Sequence, residues 1–172
     1  VKIREACLKD AEGMAIVHVE SWRSTYKGII SDSVLANLSV ETRKSSWLWA
    51  FNNPCENENI FVAEDTDGRI VGFADGGRSR NKEFKHEGEL YAIYLLKDYQ
   101  GLGIGKLLLH AVVDSLKYHG YCSMMVWVLN NNPSVGFYHA FGGKVIGQKE
   151  ITIGEESLVE IALGWDSLTM VV

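Results

Sequence analysis

The stretch Lys97-Asp98-Tyr99-Gln100-Gly101-Leu102-Gly103-Ile104-Gly105-Lys106 carries the clearest chemistry in the chain. Three glycines alternate over five residues. A helical pattern follows at once, with Ile104, Leu108, Ala111, Val112 and Leu116 on one face. Glycine takes positive φ without strain and lets a ligand approach the backbone closely. A glycine turn feeding a helix leaves backbone N–H groups unpaired at the positive end of the helix dipole, which favours a phosphate. Residues 100–106 are therefore expected to hold a phosphorylated ligand. The plain alternative is a tight strand-to-helix turn with no ligand, since a lone glycine motif is a weak signal.

Two nucleotide motifs fail here. A P-loop needs glycine five residues before Gly105 and Ser or Thr after Lys106, but Gln100 and Leu107 stand there. A dinucleotide fingerprint needs G-x-G-x-x-G, but the spacing is G-x-G-x-G, and the next strand ends at Asn130 rather than at an acid able to hold a ribose.

The loop sits between two apolar runs. Glu89 to Leu96 reads as a strand buried on both faces, and Ser123 to Leu129 as a second. The helix between them ends at Gly120, so strand, helix and strand imply a right-handed parallel crossover. Upstream, Val1 to Ala6 alternates as a short strand. Asp10 is placed to cap a helix carrying Ala11, Ala15, Val19, Trp22 and Tyr26, which Gly28 breaks. Ser39 caps a second helix with Glu41 in its first turn, Trp47, Leu48 and Phe51 on a buried face, and Pro54 beyond its end. Ile60–Glu64 and Arg69–Ala74 form a hairpin through Asp65-Thr66-Asp67-Gly68, and residues 76–88 read as a loop. Ser134 to Phe141 is a short helix. Lys144–Ile153 and Ser157–Trp165 close the chain as a hairpin around Gly154-Glu155-Glu156. The order is β-α-α-β-β-β-α-β-α-β-β, an α/β class with a mixed, mostly antiparallel sheet flanked by helices, in one domain over residues 1–172.

Gln100, Gly103 and Gly105, as Q-x-x-G-x-G, resemble the acyl-CoA pyrophosphate loop of the GNAT N-acetyltransferase superfamily. Asn132-Pro133-Ser134, Phe137-Tyr138 and Gly142-Gly143 resemble that family's N-P-A-x-x-F-Y-x-x-x-G-G segment, with Ser134 in place of alanine. Glu89, opening the strand before the loop, is a third match. Together the matches span about a third of the chain, and the element order is that of the GNAT fold. The resemblance implies an acetyl-CoA-dependent N-acetyltransferase acting on a primary amine by direct attack in a ternary complex. It implies that acetyl-CoA contacts Gln100, Gly101, Leu102, Gly103, Ile104, Gly105 and Lys106. It further implies that the central strand at Ile93 and Leu95 offers a backbone N–H to the thioester oxygen, and that Asn132, with Ser134 and Tyr138 beside it, meets the pantetheine arm. Asn132 is equally well placed as a helix cap. By the same resemblance Tyr138 is the general acid and Glu89 helps deprotonate the amine, although a glutamate at a strand end is more often simply solvated.

The acceptor is expected over the first helices, near Trp22 and Tyr26, in a region that also holds Trp47, Trp49 and Phe51. Most of these aromatics serve as packing in the bland reading. The acceptor is a small-molecule amine, or alternatively a peptide N-terminus or lysine. A non-catalytic acyl-CoA-sensing module is the rival reading, and a nucleotide-binding fold is disfavoured by the failed motifs.

Composition bounds the rest. Hydrophobic residues are 47% and charged residues 23%, as in ordinary globular proteins. A net charge of −5 without a basic block argues against nucleic acid. No apolar run reaches the ~20 residues that cross a membrane. Cys7, Cys55 and Cys122 form neither zinc spacing nor a disulfide framework, and the five histidines share no ligand spacing, so no metal and a cytoplasmic location are expected. Relatives of this type commonly dimerise, which adds a homodimer to the expectations.

Overall fold

Asp65 and Gly68 build the turn that sets the register of the first strands. One Asp65 carboxylate oxygen accepts the N–H groups of Asp67 and Arg69, each at 2.9 Å, and Gly68 takes φ +81°. The computed structural model describes residues 1–172 and forms a seven-stranded sheet in the order β1-β2-β3-β4-β5-β7-β6. The strands are β1 (Lys2–Glu5), β2 (Asn59–Glu64), β3 (Ile70–Arg78), β4 (Gly88–Leu95), β5 (Met124–Leu129), β6 (Lys144–Ile153) and β7 (Glu156–Trp165). The first four make an antiparallel meander, β4 and β5 are parallel, and the β6–β7 hairpin adds antiparallel to β5.

Helices cover both faces. The helix α4 (Ile104–Tyr118) packs where Gly72, Gly76 and Gly88 leave room: a methyl added at these glycines would meet Leu108, Val112 and Leu116 respectively. The opposite face carries Phe73 and Tyr94, whose rings meet His18 of α1 (Ala11–Thr25) and, for Phe73, Trp47 of α3 (Val40–Asn52). A short helix, α5 (Val135–Ala140), lies on the α4 side, where the Phe137 ring approaches Gly105. Leu108, Leu109 and Leu116 of α4 are fully buried, each worth about 1.5–3 kcal/mol in apolar burial.

The α/β architecture is the expected one, with several differences of detail. A five-residue helix, α2 (Asp32–Ala36), precedes α3 and was not legible, because so short a segment has no periodicity to read. Asp10 sits before α1 but does not cap it. Its carboxylate accepts two bonds from Arg4, at 2.8 and 2.9 Å, and one from the Cys7 N–H, and Arg4 also binds Glu64. Ser39 does cap α3, accepting the Thr42 N–H. The α3 face of Trp47, Leu48 and Phe51 is only half-buried, and Trp49 is 67% exposed. On α4 the buried stripe includes Leu109 and Val113, while Ala111 lies at its margin.

Residues 76–78 are strand rather than loop. Gly76 and Gly77 look like loop residues, yet they are small because Val112 packs against one and Glu58 and Tyr91 against the other. The β3–β4 register shifts here, from Asp75 opposite Ala92 to Gly76 opposite Leu90, leaving Tyr91 as an extra residue in β4.

Asp75 at this shift is 5% exposed, and its Oδ1 has no hydrogen-bond partner. Burial, and then the neighbouring Glu58, push its carboxyl up to about 9. The folded protein therefore keeps a proton that the unfolded chain releases above a pH of about 4. This group's contribution is full below that pH and falls as pH rises toward the folded value. Asp75→Asn, which cannot ionise, should melt higher than the parent, by a margin that widens between pH 5 and pH 8. Thermal melts across that range check this, and a pH-independent loss of stability would contradict it.

Candidate active site

The parallel pairing of β4 with β5 lasts for only three residue pairs, from Gly88 opposite Met124 to Leu90 opposite Val126. Beyond them the strands separate. The expectation that this strand is buried on both faces therefore holds only for its start: Gly88, Glu89 and Leu90 are buried, and the next five residues are half-buried. A cleft of about 950 Å³ opens in the gap. The Leu96 N–H donates to the Val71 carbonyl across β3 at 2.9 Å. Antiparallel strands alternate their hydrogen-bonding edge, so the N–H groups of Leu95 and Ile93 point the other way, into the gap. The Leu95 carbonyl on that edge accepts from Gln100 Nε2 at 3.1 Å and Ser21 Oγ at 3.4 Å.

At one mouth of the cleft lies the turn into α4. The first helical bond runs from the Leu107 N–H to the Gly103 carbonyl, and no N–H of residues 101–106 has a protein acceptor. Gly101 and Gly103 take φ +76° and +82°, with open space where side chains would stand. Gly101, Gly103, Gly105 and Lys106 line the cleft. Leu102 and Ile104 do not line it, one side chain being 67% exposed and the other in the core. The Gln100 side chain turns back onto Leu95 and so ties the loop to the end of β4.

Three phenols face the interior. Tyr138 of α5 is 4% exposed, and burial, then Tyr94 and Tyr26, raise its pKa well above the ordinary tyrosine value. Tyr26 is buried and similarly raised, and it accepts a bond from Asn132 Nδ2 at 2.9 Å. Tyr94 accepts from the Trp22 indole at 3.1 Å, and the Trp22 and Tyr26 rings meet edge to face at 4.9 Å. Asn132 Oδ1 also accepts the Ser134 N–H at 2.8 Å, so its side chain turns the chain into α5 and ties that turn to α1. Ser134 and Asn132 both line the cleft, as do Trp22 and Tyr26. Trp47, Trp49 and Phe51 do not.

Glu89 lies on the face away from α4. It is 3% exposed, and its two carboxylate oxygens accept the Arg80 N–H and Nη2, each at 2.9 Å. The expected site residues thus share one cleft, apart from Leu102 and Ile104.

A sequence model described as the acetyltransferase (GNAT) family matches residues 19–143. An N-acetyltransferase of Bacillus subtilis strain 168, YuaI, whose own function is uncharacterized, is 38% identical over 98% of this chain and 95% of that protein. The chain belongs to the acetyltransferase (GNAT) family. A spermidine N(1)-acetyltransferase of Thermoplasma acidophilum is 29% identical over 93% of this chain and 96% of that one. A crystal structure of the PaiA N-acetyltransferase from Thermoplasma acidophilum, in complex with coenzyme A, superposes with a TM-score of 0.72 at 27% identity, covering 92% of this chain and 96% of that one. The protein is accordingly an acetyl-CoA-dependent acetyltransferase.

The acetyltransferase fits that co-substrate on its own geometry. Unpaired N–H groups at a helix start suit a pyrophosphate, and the space above Gly103 would be filled by any larger side chain. No group of side chains suited to hold a metal ion is present, and no helix is long and apolar enough to cross a membrane. Several cleft residues carried no readable signal. Ser21, Arg80, Tyr91, Trp127, Lys149 and Glu160 line it only because α1, distant strands and a loop converge there. Gly103→Val meets no protein atom near its Cβ, and its positive φ costs about 1–2 kcal/mol. It should stay folded while acetyl-CoA affinity falls by roughly tenfold or more. Calorimetric titration of the folded variant checks this, and an unchanged affinity would contradict it.

Proposed function

We propose that this acetyltransferase passes the acetyl group of acetyl-CoA directly to a primary amine, both substrates being bound at once on either side of the β4–β5 gap. The observation that carries the reading is the gap itself. It joins a row of unpaired N–H groups on the α4 face to an aromatic, partly charged recess on the other face. The N–H groups of residues 101–106 hold the pyrophosphate, with Lys106 beside them. The N–H groups of Ile93 and Leu95, pointing into the gap, meet the pantetheine amide and the thioester oxygen. A donor aimed at an oxygen that gains charge is typically worth about 2.7–4 kcal/mol in the transition state. Asn132 and Ser134 shape the wall along the pantetheine arm.

Direct attack is supported by where the cysteines lie. Cys7, Cys55 and Cys122 are all exposed, and none lines the cleft. The leaving thiolate needs a proton, and Tyr138 is the group that supplies it. Its raised pKa keeps the phenol protonated through neutral and mildly alkaline pH. The entering amine must lose a proton. Glu89 receives it through water, because Arg80 already occupies both carboxylate oxygens along one side. The amine approaches past Trp22 and Tyr26, which close the recess from α1. The Thermoplasma relative acts on spermidine, which supports a small-molecule amine as the class of acceptor.

Tyr138→Phe preserves the ring and removes only the proton. It should lower kcat by about 10²–10⁴-fold with little change in acetyl-CoA affinity. Released thiol, followed under conditions where chemistry limits the rate, checks this. Full kcat in the variant would contradict the assignment.

A further inference from the structure

Arg80 and Lys149 line the cleft, and acetyl transfer alone gives neither a task. Their placement is specific. β4 and β5 part after Leu90 and Val126, so Tyr91 and Trp127 are the first residues on the two lips of the gap. The Arg80 guanidinium lies 4.0 Å from the centre of the Tyr91 ring. The Lys149 ammonium lies 4.1 Å from the centre of the Trp127 ring. Each lip therefore carries one cation, seated on an aromatic face.

Both cations lie away from the phosphate loop. The Tyr91 hydroxyl approaches Gly77, whose neighbour Gly76 faces α4 on the other side. Trp127 pairs with Ala162, which pairs with Gly147, and the space over Gly147 is filled by Phe84, whose ring lies 5.8 Å from Trp127. Met124 and Trp165 have the opposite parity, and Trp165 meets Tyr138 of α5. Arg80 and Lys149 thus stand on the acceptor side.

Both have donors to spare. Arg80 gives its main-chain N–H and Nη2 to Glu89, but Nε and Nη1 find no protein acceptor. The Lys149 ammonium is 3.7 Å from Glu160, beyond hydrogen-bond reach. The four charges around the opening cancel: Arg80 and Lys149 against Glu89 and Glu160. A polyamine would bring further positive charge against two cations. A zwitterion would find a partner for each end.

We propose that Arg80 and Lys149 form a carboxylate subsite, and that the acceptor is an α-amino acid. This rests on the acetyl-transfer reading above. The free edge of the Arg80 guanidinium takes the carboxylate in its planar fork, and Lys149 adds a point charge from the facing lip. The ammonium group then lies toward Glu89, where it loses its proton. Trp22, Leu129, Ile151 and Ile153 leave an apolar wall for the side chain, which favours apolar amino acids.

The test compares matched acceptors on the full chain with acetyl-CoA, reading released thiol. L-leucine, L-methionine and L-phenylalanine are set against their carboxamides and against spermidine. At least one amino acid should exceed its own carboxamide and spermidine in kcat/KM by roughly tenfold or more, mostly through KM. Arg80→Gln and Lys149→Gln should each collapse that amino-acid-to-carboxamide ratio toward one. The ratio is insensitive to general damage at Arg80, which also holds Glu89, and Lys149 lies on the sheet's edge strand, so one variant at least reports cleanly. Carboxamides or spermidine turned over as well as every amino acid, or a ratio unchanged in both variants, would overturn the subsite while leaving acetyl transfer intact. Acetyl-CoA binding without thiol release for any amine would overturn acetyl transfer itself, and the subsite with it.

Discussion

The site depends on one departure from regular sheet pairing. Two parallel strands that stayed paired would satisfy each other's N–H and C=O groups along their length and close the middle of the molecule. Here the pairing stops after Leu90 and Val126. The extra residue Tyr91 in β4 comes immediately afterwards, and a bulge of this kind bends the strand that carries it. Backbone groups of Ile93 and Leu95 are thereby released from the sheet and face a cavity. Buried backbone groups without partners are costly. The chain offsets part of that cost itself, since Ser21 and Gln100 both donate to the Leu95 carbonyl. The N–H groups are left facing the cleft.

The surroundings keep this opening in shape. On one face α4 is locked to β3 and β4 through Gly72, Gly76 and Gly88, where its leucines and valine approach the strands directly. On the other face His18 stacks on Tyr94 at 4.9 Å, and burial lowers its pKa to about 4, so it packs as a neutral ring at physiological pH. Asn132 links the two halves, holding Tyr26 of α1 with one end of its amide and the turn into α5 with the other. That amide was expected to meet the pantetheine arm and, compatibly, to cap the helix; it holds the turn into α5 and also lines the cleft.

Much of the co-substrate half was legible because its signals are local. Glycines at fixed offsets before an amphipathic helix report a turn and its unpaired N–H groups directly. The Asn132–Tyr138 segment and Glu89 came to notice through their resemblance to a family pattern instead. The opposite half of the cleft was not legible. Arg80 comes from a polar loop, Lys149 and Glu160 from a hairpin, and Trp127 from a strand whose neighbours are fixed only by the sheet order. No short-range pattern states that β6 joins the sheet beyond β7, or that residues 79–87 fold over that face. Glu89 was matched by its place before the loop, while its pairing with Arg80 depends on tertiary contact.

The central claim is that acetyl-CoA binds along the β4 edge and the turn into α4, using backbone N–H groups that the fold leaves unpaired. Two-dimensional amide NMR of the uniformly labelled protein, titrated with acetyl-CoA, addresses it residue by residue. The account predicts the largest downfield amide-proton shifts at residues 101–106 and at Ile93 and Leu95, with Leu96, already bonded to Val71, changing less. Saturable binding with these amides unmoved and the main shifts elsewhere would contradict it.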